Sequence, residues 1–364
     1  MTLLDRIDPP PPRHLYRWDL DKTYLRTEFD TFRQLVKTAL EKATDKVNVP
    51  GTAALMRELK RDDTRVLIVS GSPRQMRRVI EDKLRLDGVV WDDLVLKDNM
   101  TNLLRGRFRA MRNQVGYKLP VLLESRLRYG LAPAETLFGD DAEADAFVYS
   151  LYADIVAGRV SRTLLDEVLE AARLYDDERA VLCALFDQLA EARDKAGLGA
   201  PPGGDPAAKA DPVRRIFIHL DRLTPPTRFG AYGPRLVPIY NSFQIALVLM
   251  ADGQLTARAV IKVALEMVQG YGYNLISLSN SFQDLIRRGV PVTQVAGALA
   301  EALTSHNPVL AALLPAPDIL AAFAGRVAAL GAPPPAPAPG IVDYRALIDD
   351  ARPRTDKKRR LTGS

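Results

Sequence analysis

Between residues 13 and 165, short β-branched runs alternate with longer amphipathic stretches, and this alternation restricts the fold more than any other feature. The clearest run, Arg65 to Val69, predicts a buried strand. The other predicted elements are strands at Arg13 to Trp18 and Glu135 to Phe138, and helices near Phe29 to Lys42, from Gly51 to Leu59, from Pro73 to Leu84 and from Lys118 to Tyr129. Strands that alternate with helices indicate an α/β fold with a parallel sheet covered by helices on both faces.

The chain after residue 165 has a different pattern. Apolar residues recur at helical spacing over 176–194, 235–251, 256–268 and 292–304, and the clearest strand signal is Arg215 to His219. A length of 364 residues is typical of about two domains. We therefore predict an α/β domain at 13–165, a mainly α-helical domain at 166–330 with a linker near 197–212, and a proline-rich, basic tail at 331–364.

Composition disfavours several classes of protein. The single cysteine, Cys183, excludes an internal disulfide, and three scattered histidines do not suggest a zinc-type site. The N-terminus has no apolar signal-peptide segment, and the longest apolar run, Ile245 to Ala251, is too short to span a bilayer. We expect a cytoplasmic protein, with peripheral contact at a membrane as a further option.

The net charge of +5 is unevenly distributed. Residues 101–130 carry seven basic side chains against one acid, Glu124, and the stretch from Arg352 to Arg360 is also basic. A solvated face and a solubilising tail would explain this pattern. Attraction to an anionic substrate or surface is the alternative.

Asp19 and Asp21 lie two residues apart just beyond the first predicted strand, in the segment Arg-Trp-Asp-Leu-Asp-Lys-Thr-Tyr. This spacing directs both carboxylates the same way if the strand continues, and ligands bind beyond the carboxyl ends of the strands in an open parallel sheet. In phosphate-ester hydrolysis, one carboxylate can attack phosphorus while the other protonates the leaving oxygen and then activates water. A solvated loop with helix caps would explain the pair taken alone.

Three further features also lie at strand ends or helix starts. Ser70, in Val-Ser-Gly-Ser-Pro, ends a predicted strand where hydroxyl and N–H groups can bind phosphate oxygens, although a helix cap is the ordinary explanation. Lys118 begins a predicted helix, and the ordinary explanation for a lysine there is an exposed surface residue. Asp140 and Asp141, in Gly-Asp-Asp-Ala-Glu-Ala-Asp, follow another strand, and such carboxylates bind Mg²⁺ or lie near a helix N-terminus.

Taken in chain order, these features resemble the haloacid dehalogenase superfamily of phosphatases. Over residues 13–165 the chain resembles the catalytic domain of the actin-patch-associated phosphatidate phosphatase family. The similar motifs are Asp-Leu-Asp-Lys-Thr (19–23), Val-Pro-Gly (49–51), Val-Ser-Gly-Ser-Pro (69–73), Lys118, and Gly-Asp-x-x-x-x-Asp followed by Tyr149. The resemblance implies a Rossmann-like, haloacid dehalogenase-like sheet with flanking helices. The chain departs from the family pattern at Lys22, Gly71 and Asp141.

The resemblance also implies roles for individual residues. Asp19 would be the nucleophile and a Mg²⁺ ligand, and Asp21 the general acid and base, with its carbonyl oxygen on the metal. Asp140 would bind Mg²⁺, and Asp145, or alternatively Asp141, would orient Lys118 or the metal-bound waters. The remaining groups brace the loop or bind the phosphoryl group: Thr23 as the brace, and Ser70, Gly71 and Lys118 as phosphate ligands.

We therefore expect a Mg²⁺-dependent phosphomonoester hydrolase that works through an aspartyl-phosphate, with a phospholipid such as phosphatidate as a candidate substrate. One alternative is a phosphatase for nucleic-acid ends or soluble phosphometabolites, in which the basic 101–130 segment grips the substrate. Another is a non-catalytic module that binds phosphate or a partner, against which the complete set of acids and lysine argues. The helical half could cap the site, form a dimer or bind a membrane surface, and the sequence does not distinguish these three roles.

Overall fold

The computed structural model describes residues 11–25, 48–97, 107–198, 211–306 and 342–351, and the single residue Gly325. Its centre is one sheet of six parallel strands. The strands are β1 (His14–Trp18), β2 (Thr64–Pro73), β3 (Asp93–Lys97), β4 (Ala134–Asp140), β5 (Val213–His219) and β6 (Leu236–Ile239). They lie in the order β3-β2-β1-β4-β5-β6.

The strand order reverses at β1, because β2 and β3 lie on one side of it and β4, β5 and β6 lie on the other. Tyr16 pairs with Val66 of β2 on one side and with Thr136 of β4 on the other. In open parallel sheets, ligands bind outside the carboxyl ends of the strands at such a switch point. The topology therefore marks the ends of β1 and β4, where Asp19 and Asp140 lie, as the expected position of a site.

Helices cover both faces of the sheet. One layer contains α1 (Thr52–Leu59), α2 (Arg77–Leu86), α7 (Ser242–Ala251), α8 (Ala257–Tyr271), α9 (Leu275–Arg287) and α10 (Ala296–His306). The other contains α3 (Arg107–Tyr129), α4 (Asp145–Ala157), α5 (Arg162–Ala171), α6 (Asp176–Lys195) and α11 (Tyr344–Ala351). Because side chains alternate along a strand, Phe138 and Phe217 face the first layer while Leu137 and Ile216 face the second. The predicted α/β fold with flanking helices and a helical C-terminal region is confirmed.

Two local predictions are corrected. Lys118 does not begin a helix, because α3 begins at Arg107 and Lys118 lies in its middle. The stretch 235–251, predicted as one helix, contains β6 followed by α7, which Asn241 caps. A short apolar run such as that of β6 is compatible with either structure when periodicity is the only guide. The helix predicted near Phe29 to Lys42 lies outside the described residues.

The sheet continues beyond residue 165, where the sequence placed a domain boundary, because β5 and β6 extend it past β4. The two parts of the chain also pack together: a Cβ at Gly51, which has a φ of 81°, would lie 2.8 Å from Cγ of Met267 in α8. Residues 344–351, placed in a tail, form α11 with Tyr344 and Ile348 buried. Most of the linker near 197–212 and the stretch 331–340 lie outside the described residues.

None of the helices in the described ranges combines the length and apolar character needed to cross a bilayer.

Candidate active site

Asp19 and Asp21 lie in a tight turn directly after β1. The Asp19 N–H donates to the carbonyl of Phe138 (2.8 Å), which continues the pairing with β4. Lys22 then turns the chain with a φ of 59°, a left-handed conformation uncommon for a non-glycine residue. Both aspartates are buried. The turn thus brings two carboxylates, separated by one residue, to the switch point of the sheet.

Lys118 reaches this turn from α3 and is fully buried. Its Nζ lies 2.8 Å from Oδ1 of Asp19, 2.5 Å from Oδ1 of Asp145 and 3.0 Å from Oε2 of Glu143. Burial acts to lower the pKa of Lys118, but the three carboxylates outweigh it and raise that pKa well above its usual value. Lys118 is therefore a fixed positive charge against Asp19.

Two serines bind the second aspartate. Ser70 and Ser72 are two residues apart at the end of β2, and their hydroxyls donate to Oδ2 of Asp21 at 3.0 and 3.1 Å. Burial, followed by the negative charge of Glu143, raises the pKa of Asp21 to about 7, although the serines oppose the rise. The sequence interpretation missed Ser72, although the Val-Ser-Gly-Ser-Pro segment contains it and the two-residue spacing places both hydroxyls on one side.

Asp140 and Asp145 complete the group of acids. Asp140 ends β4, and its Oδ1 accepts hydrogen bonds from the N–H groups of Ala142 (2.6 Å) and Glu143 (2.9 Å). Asp145 is the first residue of α4, where a helix N-terminus favours negative charge. A Cβ at Gly139 would collide with the carboxylate of Asp145, so a larger residue there would displace that carboxylate.

These acids have the composition of a divalent-cation site. Asp19, Asp140 and Asp145 each present a carboxylate oxygen within 4.8 Å of the others. Oδ2 of Asp19 and Oδ2 of Asp140 are buried without a hydrogen-bond partner among the described residues. Burial raises the pKa of all three acids, and neighbouring carboxylates contribute, because Lys118 supplies one positive charge against several negative ones. Hard oxygen ligands with excess negative charge fit Mg²⁺.

Three predicted site residues, Asp141, Thr23 and Gly71, are not among the hydrogen-bonded groups described above. Asp141 points away from Lys118, since its two oxygens accept hydrogen bonds from the N–H groups of Arg222 (2.8 Å) and Thr224 (3.0 Å). The Oγ1 of Thr23 is buried and has no hydrogen-bond partner within the described ranges. Gly71 lies beside the serines, and a Cβ there would meet no atom within 4 Å. Asp145, rather than Asp141, therefore contacts Lys118 in this structure.

In the described part of the basic 101–130 segment, several basic side chains are buried or held by partners. Lys118 and Arg126 are buried, and Arg126 donates to the carbonyls of Pro133 and Leu131. The guanidinium of Arg112 lies 4.7 Å from the ring centroid of Tyr175. At least three of the seven basic residues thus have structural partners.

The α/β fold places paired buried aspartates, a lysine and serine hydroxyls at its switch point, and such groups can hydrolyse phosphate esters. Residues 18–165 match the family model described as phosphatidate phosphatase APP1, catalytic domain, so the protein is a phosphatase. This confirms the prediction that the protein is a phosphoric monoester hydrolase. The match covers less than half of the chain and includes every predicted site residue. Comparisons with curated proteins and with solved structures find no match.

Proposed function

We propose that the protein is a Mg²⁺-dependent phosphomonoester hydrolase of the haloacid dehalogenase type, in which Asp19 forms an aspartyl-phosphate. The main support is the difference between two neighbouring carboxylates. Asp19 is ion-paired with Lys118 and keeps one buried oxygen without a described partner, whereas Asp21 is hydrogen-bonded by two serines. Neighbouring acids in different environments are suited to different roles, here nucleophile and proton carrier.

In the first step, an Asp19 oxygen attacks phosphorus and the ester oxygen leaves. Lys118 offsets the repulsion between the carboxylate and the phosphate group. At 4 Å and an effective dielectric constant near 20, one such charge pair is worth about 4 kcal/mol. If this interaction is felt only in the transition state, it corresponds to roughly three powers of ten in rate.

Asp21 carries the proton in both steps. A pKa of about 7 means that near-neutral solution contains both its protonated and ionised forms. The protonated acid gives its proton to the leaving oxygen, and the resulting carboxylate removes a proton from the water that hydrolyses the aspartyl-phosphate. Ser70 and Ser72 keep the Asp21 carboxyl oriented toward the reacting atoms.

The metal would be bound by Asp19 and Asp140, with the Asp21 carbonyl as a further ligand. Bound Mg²⁺ would neutralise phosphate charge and align the phosphoryl group with the nucleophile. Asp145 orients Lys118 and accepts a hydrogen bond from the Asp140 N–H (3.3 Å), so it links the lysine to the metal-binding strand end.

The substrate class follows from the matched family, which points to a phospholipid phosphate such as phosphatidate. A cytoplasmic location with peripheral membrane contact would suit that substrate and is part of the proposal. The alternative substrates, nucleic-acid ends and soluble phosphometabolites, are outcomes of the same test.

The test is a phosphatase assay with an aryl phosphate, phosphatidate in mixed vesicles and a terminally phosphorylated oligonucleotide, with Mg²⁺ or with a chelator. We expect Mg²⁺-dependent release of phosphate from phosphatidate and from the aryl phosphate, and none from Asp19→Asn protein. Activity that survives chelation, or an Asp19→Asn variant as active as the wild type, would contradict the proposed chemistry. Preference for the oligonucleotide would contradict the proposed lipid substrate and support nucleic-acid ends instead.

A further inference from the structure

Lys118 has no spare hydrogen-bond donor in the observed arrangement. An ammonium group has three N–H donors, and those of Lys118 are engaged by Asp19, Asp145 and Glu143 at 2.8, 2.5 and 3.0 Å. A phosphoryl oxygen that is to be bound by Lys118 must therefore replace one of these three carboxylates.

The three partners differ in how easily they can leave. The side chains of Asp19 and Asp145 are 1% and 0% exposed, whereas that of Glu143 is 29% exposed. Asp145 is also held through its second oxygen, which accepts from the Asp140 N–H. Glu143 lies in the loop between β4 and α4, so its side chain borders on solvent.

The backbone of Glu143 is fixed although its side chain is not enclosed. Its N–H donates to Oδ1 of Asp140 at 2.9 Å, and this bond does not involve the carboxylate. The carboxylate itself contacts Nζ of Lys118 and Nε2 of Gln114. Rotation of the side chain would therefore free a donor of Lys118 without any movement of the loop.

The charge of Glu143 lies close to every acid of the site. It contributes to the raised pKa of Asp19, Asp21, Asp140 and Asp145. A phosphate group that accepted a hydrogen bond from Lys118 beside Asp19 would place its negative charge in the position of the Glu143 carboxylate. Carboxylate and phosphate cannot share this position without strong repulsion.

We propose that the Glu143 carboxylate occupies the position of a phosphoryl oxygen on Lys118 and moves out when a phosphate group binds. This inference rests on the proposed function, because it assumes that Lys118 binds phosphate during the reaction. The returning carboxylate competes with bound phosphate, whether substrate or inorganic product, and so weakens its binding. Glu143 would thereby favour release of inorganic phosphate after each turnover.

The test is isothermal titration of the full chain with inorganic phosphate in the presence of Mg²⁺. The variants are Glu143→Gln, which keeps the shape and removes the charge, and Glu143→Ala, which removes the competing group. Glu167→Gln is the matched control, because Glu167 is exposed on α5, where its carboxylate pairs with Arg345. Circular dichroism would verify that each variant is folded.

We expect both Glu143 variants to bind inorganic phosphate roughly tenfold more tightly than the wild type, with the control unchanged. Wild-type binding of phosphate with equal or weaker binding by the Glu143 variants would overturn the inference and leave the proposed function intact. If neither the wild type nor any variant binds phosphate, the phosphate site itself is refuted, and the inference with it.

Discussion

The Nδ1 atom of His219 lies 2.8 Å from the carbonyl oxygen of Lys22, and this contact joins the end of β5 to the turn that carries Asp21. A carbonyl oxygen only accepts hydrogen bonds, so Nδ1 carries the proton. His219 therefore fixes a backbone turn whose central residue has an unusual positive φ. His219 lies outside the matched segment of the chain and was not predicted as part of the site.

Replacement of His219 should separate this positioning role from general packing. In His219→Asn, the amide nitrogen lies near the position of Nδ1 and can still donate to Lys22, whereas in His219→Gln it lies near Nε2. We expect Asn to retain most of the activity and Gln to lower kcat by roughly tenfold to a hundredfold with little change in KM, because small displacements of reacting groups are costly. Equal kcat values for the two variants would contradict the role of the Nδ1 contact.

A buried ion network connects β1 with β4 and with the helices α3 and α4. Glu135 accepts hydrogen bonds from Arg17 (2.7 Å) and Tyr152 (2.6 Å) and lies 3.1 Å from Arg126, and all of these side chains are buried. Glu135→Ala leaves two guanidinium groups without their counter-charge, so we expect a loss of about 3–5 kcal/mol in unfolding free energy by urea titration. Glu124→Ala, at an exposed position of α3, is the control. A loss of unfolding free energy similar to that of the control would show that the network does not stabilise the fold.

His14 should make stability depend on pH. Burial lowers its pKa from 6.5 to about 4, and its Nε2 lies 2.9 Å from Oγ1 of Thr136. Between these two values the unfolded chain binds the proton more readily, so the folded state loses stability as the pH falls. From pH 7 to 4.5, the wild type should lose roughly 2 kcal/mol more than His14→Gln. Parallel losses in urea titrations of the two proteins would contradict the low pKa of His14.

The continuous sheet predicts that the α/β part does not fold without the C-terminal part. A chain that ends at residue 198 lacks β5, which pairs with β4 along Glu135 to Asp140, and lacks the helices that cover Phe138. We expect it to be insoluble or to show no cooperative thermal transition by circular dichroism. A cooperative transition would contradict this expectation and show that the chain up to residue 198 folds by itself.

The strand–helix alternation was sufficient to predict the parallel sheet, because buried strands such as β2 are continuous apolar runs. The strand β3 was missed because it is short, with residues that alternate between buried and partly exposed. Membership of β5 and β6 in the same sheet depends on contacts between distant parts of the chain. Local periodicity contains no information about those contacts.

The site was predicted from motif order more than from any one residue. Lys118 has no local signal, yet its ammonium group lies at the centre of the acids. Within the acidic segment, sequence could not show which side chains point inward. The loop directs Glu143 toward Lys118 and Asp141 toward the N–H groups of Arg222 and Thr224. Such directions are set by loop backbone geometry, which residue type alone does not specify.

The most direct test of the account is the search for a covalent phosphoryl-enzyme. With an aryl phosphate, the leaving group needs little help from an acid, but hydrolysis of the aspartyl-phosphate still needs the Asp21 base. Acid-quenched Asp21→Asn protein should therefore carry a hydroxylamine-labile phosphoryl group that mass spectrometry locates on Asp19, and Asp19→Asn protein should carry none. Absence of the adduct from the Asp21→Asn variant during turnover, or its location on any residue other than Asp19, would contradict the assignment of Asp19 as the nucleophile.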